Sequence, residues 1–170
     1  MLNGNCSFVT CDNVEHKQEG KWDMIIAFPP CTYLTNTGNR WFNIEKYGEK
    51  AIERHRLREE AVVFFKQIGE ADCDKIVIEN PVGVISTRWK KPTQIIQPYH
   101  FGEPARKTTC LWLKGVEPLV PTNIVEPDVY SYVAKDGRVK TDSRWRNSMT
   151  AKERSKTFMG VALAMADQWG

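Results

Sequence analysis

The 170-residue chain has no apolar run that approaches the ~20 residues of a membrane span. Residues 1–10 have neither the basic start nor the apolar centre of a secretory leader. Both absences lead to the expectation of a cytoplasmic protein without a membrane partner. The common metal and nucleotide signatures HExxH, Walker A and GxGxxG are missing as well. Five cysteines (Cys6, Cys11, Cys31, Cys73, Cys110) form no CxxC pair and leave one over. That argues against a disulfide framework or a zinc site and for free thiols in a reducing compartment. Neither sign of charge dominates, and a net charge of +3 does not by itself imply nucleic acid. The length suits a single domain, residues 1–170, with a real core.

What the chain does have is a strand that stops at two prolines and then presents a cysteine. Met24 to Phe28 is a continuous apolar run, the pattern of a strand buried on both faces. Pro29 and Pro30 cannot donate to a ladder, so pairing ends there. Cys31 then lies just past the carboxyl end of a parallel-type strand, where open α/β sheets place their ligands. It reads equally as a small core residue, since free cysteine is often buried. Residues 74–80 repeat the pattern: Ile76-Val77-Ile78, a polar pair Glu79-Asn80, then Pro81. Glu79 is expected at the same sheet edge as Cys31. A thiol beside a carboxyl group that can hydrogen-bond a ring nitrogen is a chemically meaningful pair. Between the two strands, residues 45–69 predict one helix, a crossover closing at Gly69, with His55 on its surface.

Other segments offer further candidates. Ser7 to Thr10 predicts a short strand ending at Asp12, which is placed either to accept hydrogen bonds from a ligand or simply to make a turn. Residues 32–43 combine small hydroxyls, Gly38, Arg40, Trp41 and Phe42. Such a segment can close over a base or phosphate, or plug the core through its two aromatics. Phe101 to Lys107 reads as a tight loop before a strand at 109–113, with Arg106 and Lys107 available to an anion. Arg88, Lys90 and Lys91 with Trp89 make a basic loop. Residues 129–134 and 138–140 flank Lys135-Asp136-Gly137, a hairpin signal. Arg138, Lys140, Arg144, Arg146, Lys152, Arg154 and Lys156 surround it, with Trp145 among them, as the candidate phosphate-contacting region. A final helix is expected from Thr150, opened by a Thr150–Glu153 capping box, with Phe158, Val161, Ala162 and Met165 as a core stripe.

FPPCTYLTNTG at 28–38, IENPVG at 78–83, QIIQPYHFGEPARKTTCLWLKG at 94–115 and SKTFMGVALAMADQWG at 155–170 resemble, in order and setting, the cytosine-5 DNA methyltransferases. The likeness is to the small phage and prophage members of that superfamily. The resemblance implies a Rossmann-like class I methyltransferase sheet with helices on both faces. It implies a bacterial host cytoplasm, DNA as partner and S-adenosylmethionine as cofactor. Cys31 would attack C6 of cytosine, making C5 nucleophilic toward a methyl group. Glu79 would hold the N3 and N4 edge of the base, protonated in the complex. Arg106 or Lys107 would match the arginine that contacts the base. Asp12 would approach the adenosine part of the cofactor, Pro29 and Pro30 would shape the floor between cofactor and base, and Gly160 would lie beside the cofactor. In duplex DNA the base must first leave the stack.

Two departures set further expectations. The family's first motif, which cradles the methionine end of the cofactor, is expected some tens of residues before Asp12 and is not found. An N-terminally truncated sheet would expose an edge for a second copy or a partner chain. Residues 118–150 stand where a large target-recognition domain would be, as a small hairpin insertion. Two function classes follow. One is a DNA (cytosine-5)-methyltransferase. The other is a non-catalytic, phage-derived binding or counter-defence protein on the same scaffold.

Overall fold

Short β-branched and apolar runs give this chain its sheet, and one long helix covers it. The computed structural model describes residues 7–9, 22–144, 150 and 156–170. Contacts divide the chain into two compact units: residues 1–95 with 109–118, and residues 96–108 with 119–170.

In the first unit, β1 (Ser7–Val9), β2 (Ile25–Ala27) and β3 (Ile76–Pro81) run parallel, with Ser7 opposite Ile25 and Ala27 opposite Ile78. β5 (Thr109–Lys114) pairs antiparallel with β3, and β4 (Gln94–Ile96) completes a five-stranded sheet in the order β1-β2-β3-β5-β4. The fold is therefore mixed α/β on a mixed sheet. The chain crosses from β2 to β3 through α1 (Ile44–Tyr47) and α2 (Glu49–Gly69). Parallel neighbours require such a crossover.

The expected single helix over 45–69 is interrupted at Gly48, whose φ of 51° and ψ of −131° are not helical. Glycine reaches that conformation without the clash a Cβ would bring. α2 turns Ala51, Val62 and Phe65 inward. Phe65 is fully buried and meets Trp112 and Trp89 edge-on, with ring centroids 5.0 and 5.8 Å apart. Ile76 and Ile78 from β3, with Cys110 and Trp112 from β5, complete this core. Trp89, which ends the short α3 (Ile85–Arg88), therefore serves packing, and Arg88 pairs with Glu59 at 3.1 Å.

β3 matches the strand expected over residues 74–80 and adds Pro81: Glu79, Asn80 and Pro81 stand opposite Leu111, Cys110 and Thr109. Pro81 is tolerated because it is the last residue of the strand, where a missing donor costs least.

The second unit is built on a hairpin of β6 (Val129–Val133) and β7 (Val139–Ser143). Gly137, with φ of 78°, closes the turn as the Asp-Gly signal predicts. The segment 98–104 is held to 123–128 by backbone bonds from Val125 to Tyr99 at 2.9 Å and from Asp128 to Pro104 at 2.9 Å. α4 (Met159–Trp169) buries Val161, Ala164, Met165 and Trp169. Ala162, expected in that stripe, is exposed, and Ala164 takes the inward position one turn after Val161. The helix expected from Thr150 begins only at Met159, with Phe158 as its N-cap and residues 156–158 not helical; residues 151–153 of the expected capping box lie outside those described. Among the described residues no helix is long and apolar enough to cross a membrane.

Candidate active site

β2 ends at Ala27, and the chain leaves the ladder through Phe28-Pro29-Pro30. It then turns tightly: the Cys31 carbonyl accepts the N–H groups of Leu34 and Thr35, both at 3.0 Å. Cys31 stands half-buried at the head of this turn.

Extending the register of β2 and β3 by two residues brings Pro29 level with Asn80. The buried Asn80 side chain uses that position to donate from Nδ2 to the Pro29 carbonyl at 2.8 Å. Beyond the clamp, the two loops are stitched together. Thr35 bridges Gly83, the Val84 N–H donates to the Leu34 carbonyl at 2.9 Å, and the Asn36 N–H donates to Val82 at 3.3 Å. A Cβ on Gly83 would stand 2.0 Å from the Leu34 carbonyl oxygen, so only glycine permits this approach. The Cys31 loop and the segment carrying Glu79 are thus fixed to each other at one end of the sheet, as expected. Glu79 itself is half-buried within β3, not in a loop beyond it.

Physical chemistry separates the three described cysteines. Cys73 is buried with its thiol directed to the carbonyls of Trp22 and Lys75 at 3.3 and 3.2 Å. Cys110 is buried opposite Asn80; burial first and the Glu79 charge second push its thiol up to about 11. A thiol in that state is a poor nucleophile. Cys31 is the one of the three that is not buried.

The turn after Cys31 is held from the helix side as well. Arg58, buried on α2, donates to the Tyr33 carbonyl and to Asn39 Oδ1, both at 2.8 Å, and lies 3.3 Å above the Phe42 ring. His55 Nε2 lies 3.1 Å from the Phe42 carbonyl. Residues 36–42 form a 3-10 helix capped by Thr35. Phe42 plugs the core, as one of the two expectations held; Trp41 does not and is 41% exposed.

Arg106, Lys107 and Gly160 belong to the second unit. The Arg106 N–H donates to Ser143 Oγ at 3.1 Å, and its side chain is exposed. Lys107 Nζ donates to the Lys156 carbonyl at 3.2 Å. The Gly160 N–H donates to Glu103 at 3.2 Å, and a Cβ there would meet the Phe101 carbonyl oxygen at 1.8 Å. Gly160 is therefore explained by close packing of α4 on residue 101. In the expected phosphate-contacting region, Arg138 and Lys140 face Asp136 at 2.5 and 3.7 Å, and Arg144 faces Asp128 at 3.0 Å. Trp145, Arg146, Lys152 and Arg154 lie outside the described residues.

The residues assigned to S-adenosylmethionine are placed separately in the two units. Pro29 is buried with its carbonyl taken by Asn80, Gly160 is occupied by residues 101 and 103, and only Pro30 is exposed. Asp12 lies outside the described residues. Among those residues no cluster of three or more His, Cys, Asp or Glu is placed to hold a metal ion.

Asn80, Gly83, Arg54 and Arg58 are the site residues that sequence reading gave no role. Gly83 carried a usable signal, since a glycine two residues after a strand-ending proline marks a close backbone approach. No protein-family model matches the chain.

Proposed function

We propose that this chain is a cytosine-C5 methyltransferase acting on DNA, with a Rossmann-like class I sheet and Cys31 as nucleophile. The observation that carries the reading is the joining of the Cys31 turn to the end of β3 through Asn80, Pro29 and Gly83. Further support is the parallel β2–α2–β3 crossover, which sends both loops out at the carboxyl ends of their strands, where such sheets bind ligands.

In this reading the Cys31 thiolate forms a C–S bond to C6 of an unstacked cytosine. The C5–C6 double bond opens and its electron pair moves toward C5, with negative charge shared onto N3 and O2. Glu79, protonated, donates to N3 and lowers the cost of that charge. S-adenosylmethionine would supply an electrophilic methyl group to C5. Loss of the C5 proton to water and expulsion of the thiolate would then restore the ring.

The test is DNA carrying pyrimidin-2-one in place of cytosine, which accepts a thiol at C6 without a methyl donor. A covalent complex mapped to Cys31, absent in Cys31→Ala, is the expected outcome. Failure of the folded wild-type chain to form any complex overturns the reading. Methyl incorporation from labelled S-adenosylmethionine tests the second half. The internal occupation of Pro29 and Gly160 favours a second reading, a non-catalytic DNA-binding protein on this scaffold. An adduct without methyl incorporation would support a chain that engages cytosine but does not modify it.

A further inference from the structure

Among the described residues Arg54 is a cation without an acid. It is half-buried on α2, one helical turn before Arg58. Its guanidinium lies 5.1 Å from the Tyr33 ring centroid and 5.2 Å from that of Phe42. Its Nε is buried and has no hydrogen-bond partner among the described residues. Nor does any carboxylate among those residues lie within ion-pair distance of it. The acids nearby in sequence are engaged elsewhere: Glu53 and Glu60 by Arg56, and Glu59 by Arg88. Arg58 cannot neutralise it and spends its own donors on the neutral acceptors Tyr33 O and Asn39 Oδ1.

Two guanidiniums are thus gathered over one aromatic ring, and among the described residues neither has a carboxylate at ion-pair distance. That is costly unless an anion completes the group. Burial first, then the charges of Arg88 and Arg54, pull Arg58 below the usual guanidinium value, and Glu59 opposes them. The surroundings fit a nucleic acid strand. Thr32, Asn36 and Thr37, close in sequence to Tyr33 and Gly38, are exposed, and Trp41 is 41% exposed with Arg40 4.9 Å above its ring. Cations interleaved with aromatics and small hydroxyls are the equipment for phosphates and stacked bases.

We propose that Arg54, backed by Arg58, anchors one backbone phosphodiester of a nucleic acid strand beside the Cys31 turn. The choice of nucleic acid as the source of the phosphate rests on the cytosine reading above; the anion site itself does not.

The test measures binding of a short labelled DNA duplex over a salt series. Arg54→Gln should weaken binding several-fold and reduce the slope of log Kobs against log salt by about 0.9, the release of one counterion. Arg54→Lys, which keeps the charge, should retain the slope. Gly38→Glu offers an independent route that leaves the arginine in place. A Cβ at residue 38 would stand 3.6 Å from Arg54 Nη2, so a carboxylate there can occupy the anion site. It should reproduce the loss seen in Arg54→Gln. Thermal unfolding checks that each variant is folded. An unchanged slope in folded Arg54→Gln and Gly38→Glu overturns the proposal. So does an Arg54 dependence seen only with inorganic phosphate, which would assign the site to a free anion. Trapping at Cys31, read in the same samples, separates the two claims. An adduct with an unchanged slope sinks the phosphate anchor alone. An altered slope without an adduct sinks the cytosine chemistry and keeps the anchor.

Discussion

Asn80 and Gly83 hold the candidate site by opposite means, one with a side chain and the other by lacking one. Replacing Gly83 with alanine pushes the Leu34 carbonyl away from a Cβ that would stand 2.0 Å from it. The cost should be about 2–3 kcal/mol, read by urea unfolding. Asn80→Ala is different. It removes the bond to Pro29, but also removes a buried Oδ1 that has no partner among the described residues. Its stability cost should stay near 1 kcal/mol. Adduct formation at Cys31 should fall far more than DNA affinity, because the loop keeps its sequence and loses its anchor. Equal losses in both would point to a purely structural role. The cysteines give a pH prediction. Cys110 has a folded value pushed up to about 11, above that of an unfolded thiol. The native state therefore keeps a proton that the unfolded chain releases, and stability is lost as pH rises from about 9 to 11. Unfolding temperature measured across that window should fall less steeply in Cys110→Ala. In alkylation followed by peptide mapping near neutral pH, Cys31 should react well ahead of Cys73 and Cys110.

At the scale of elements, the hydrophobic runs were the legible part. Ile76-Val77-Ile78 reads as a strand because it is β-branched, short and flanked by turn residues, and it is one. The Asp-Gly hairpin was readable because its turn chemistry is local. The break at Gly48 was not legible, since glycine alone inside a helical pattern does not announce its φ. Gly48→Ala should destabilise by about 1 kcal/mol through backbone strain alone, since no atom lies within 4 Å of the added Cβ. Differential unfolding against wild type measures it. Glu79 was legible as part of the strand over 74–80, but its antiparallel partner Leu111 was not. That pairing links residues far apart in sequence, which periodicity cannot report.

For the whole molecule, composition bounded the class and said little about arrangement. The chain leaves its first compact unit after residue 95, returns for 109–118, and leaves again. Nothing in the composition of those segments marks the crossings, because the two units are defined by long-range contacts. The loops joined by Asn80 and Gly83 are likewise distant in sequence, and their meeting could be expected only from two strands sharing one edge. The methyltransferase reading makes a demand on the entire chain. Calorimetric titration with S-adenosylmethionine should show binding at micromolar concentration. Silence at millimolar cofactor would transfer the weight to the binding-protein reading.

The two prolines before Cys31 have a consequence for how this sequence can drift. A strand lengthens by recruiting amide hydrogens, and positions 29 and 30 have none to offer. Exchanges among Val, Ile and Leu in β2 can strengthen or weaken that strand without drawing the thiol into the ladder. The sheet and its candidate nucleophile are therefore free to vary separately, so long as that pair of residues stays in place.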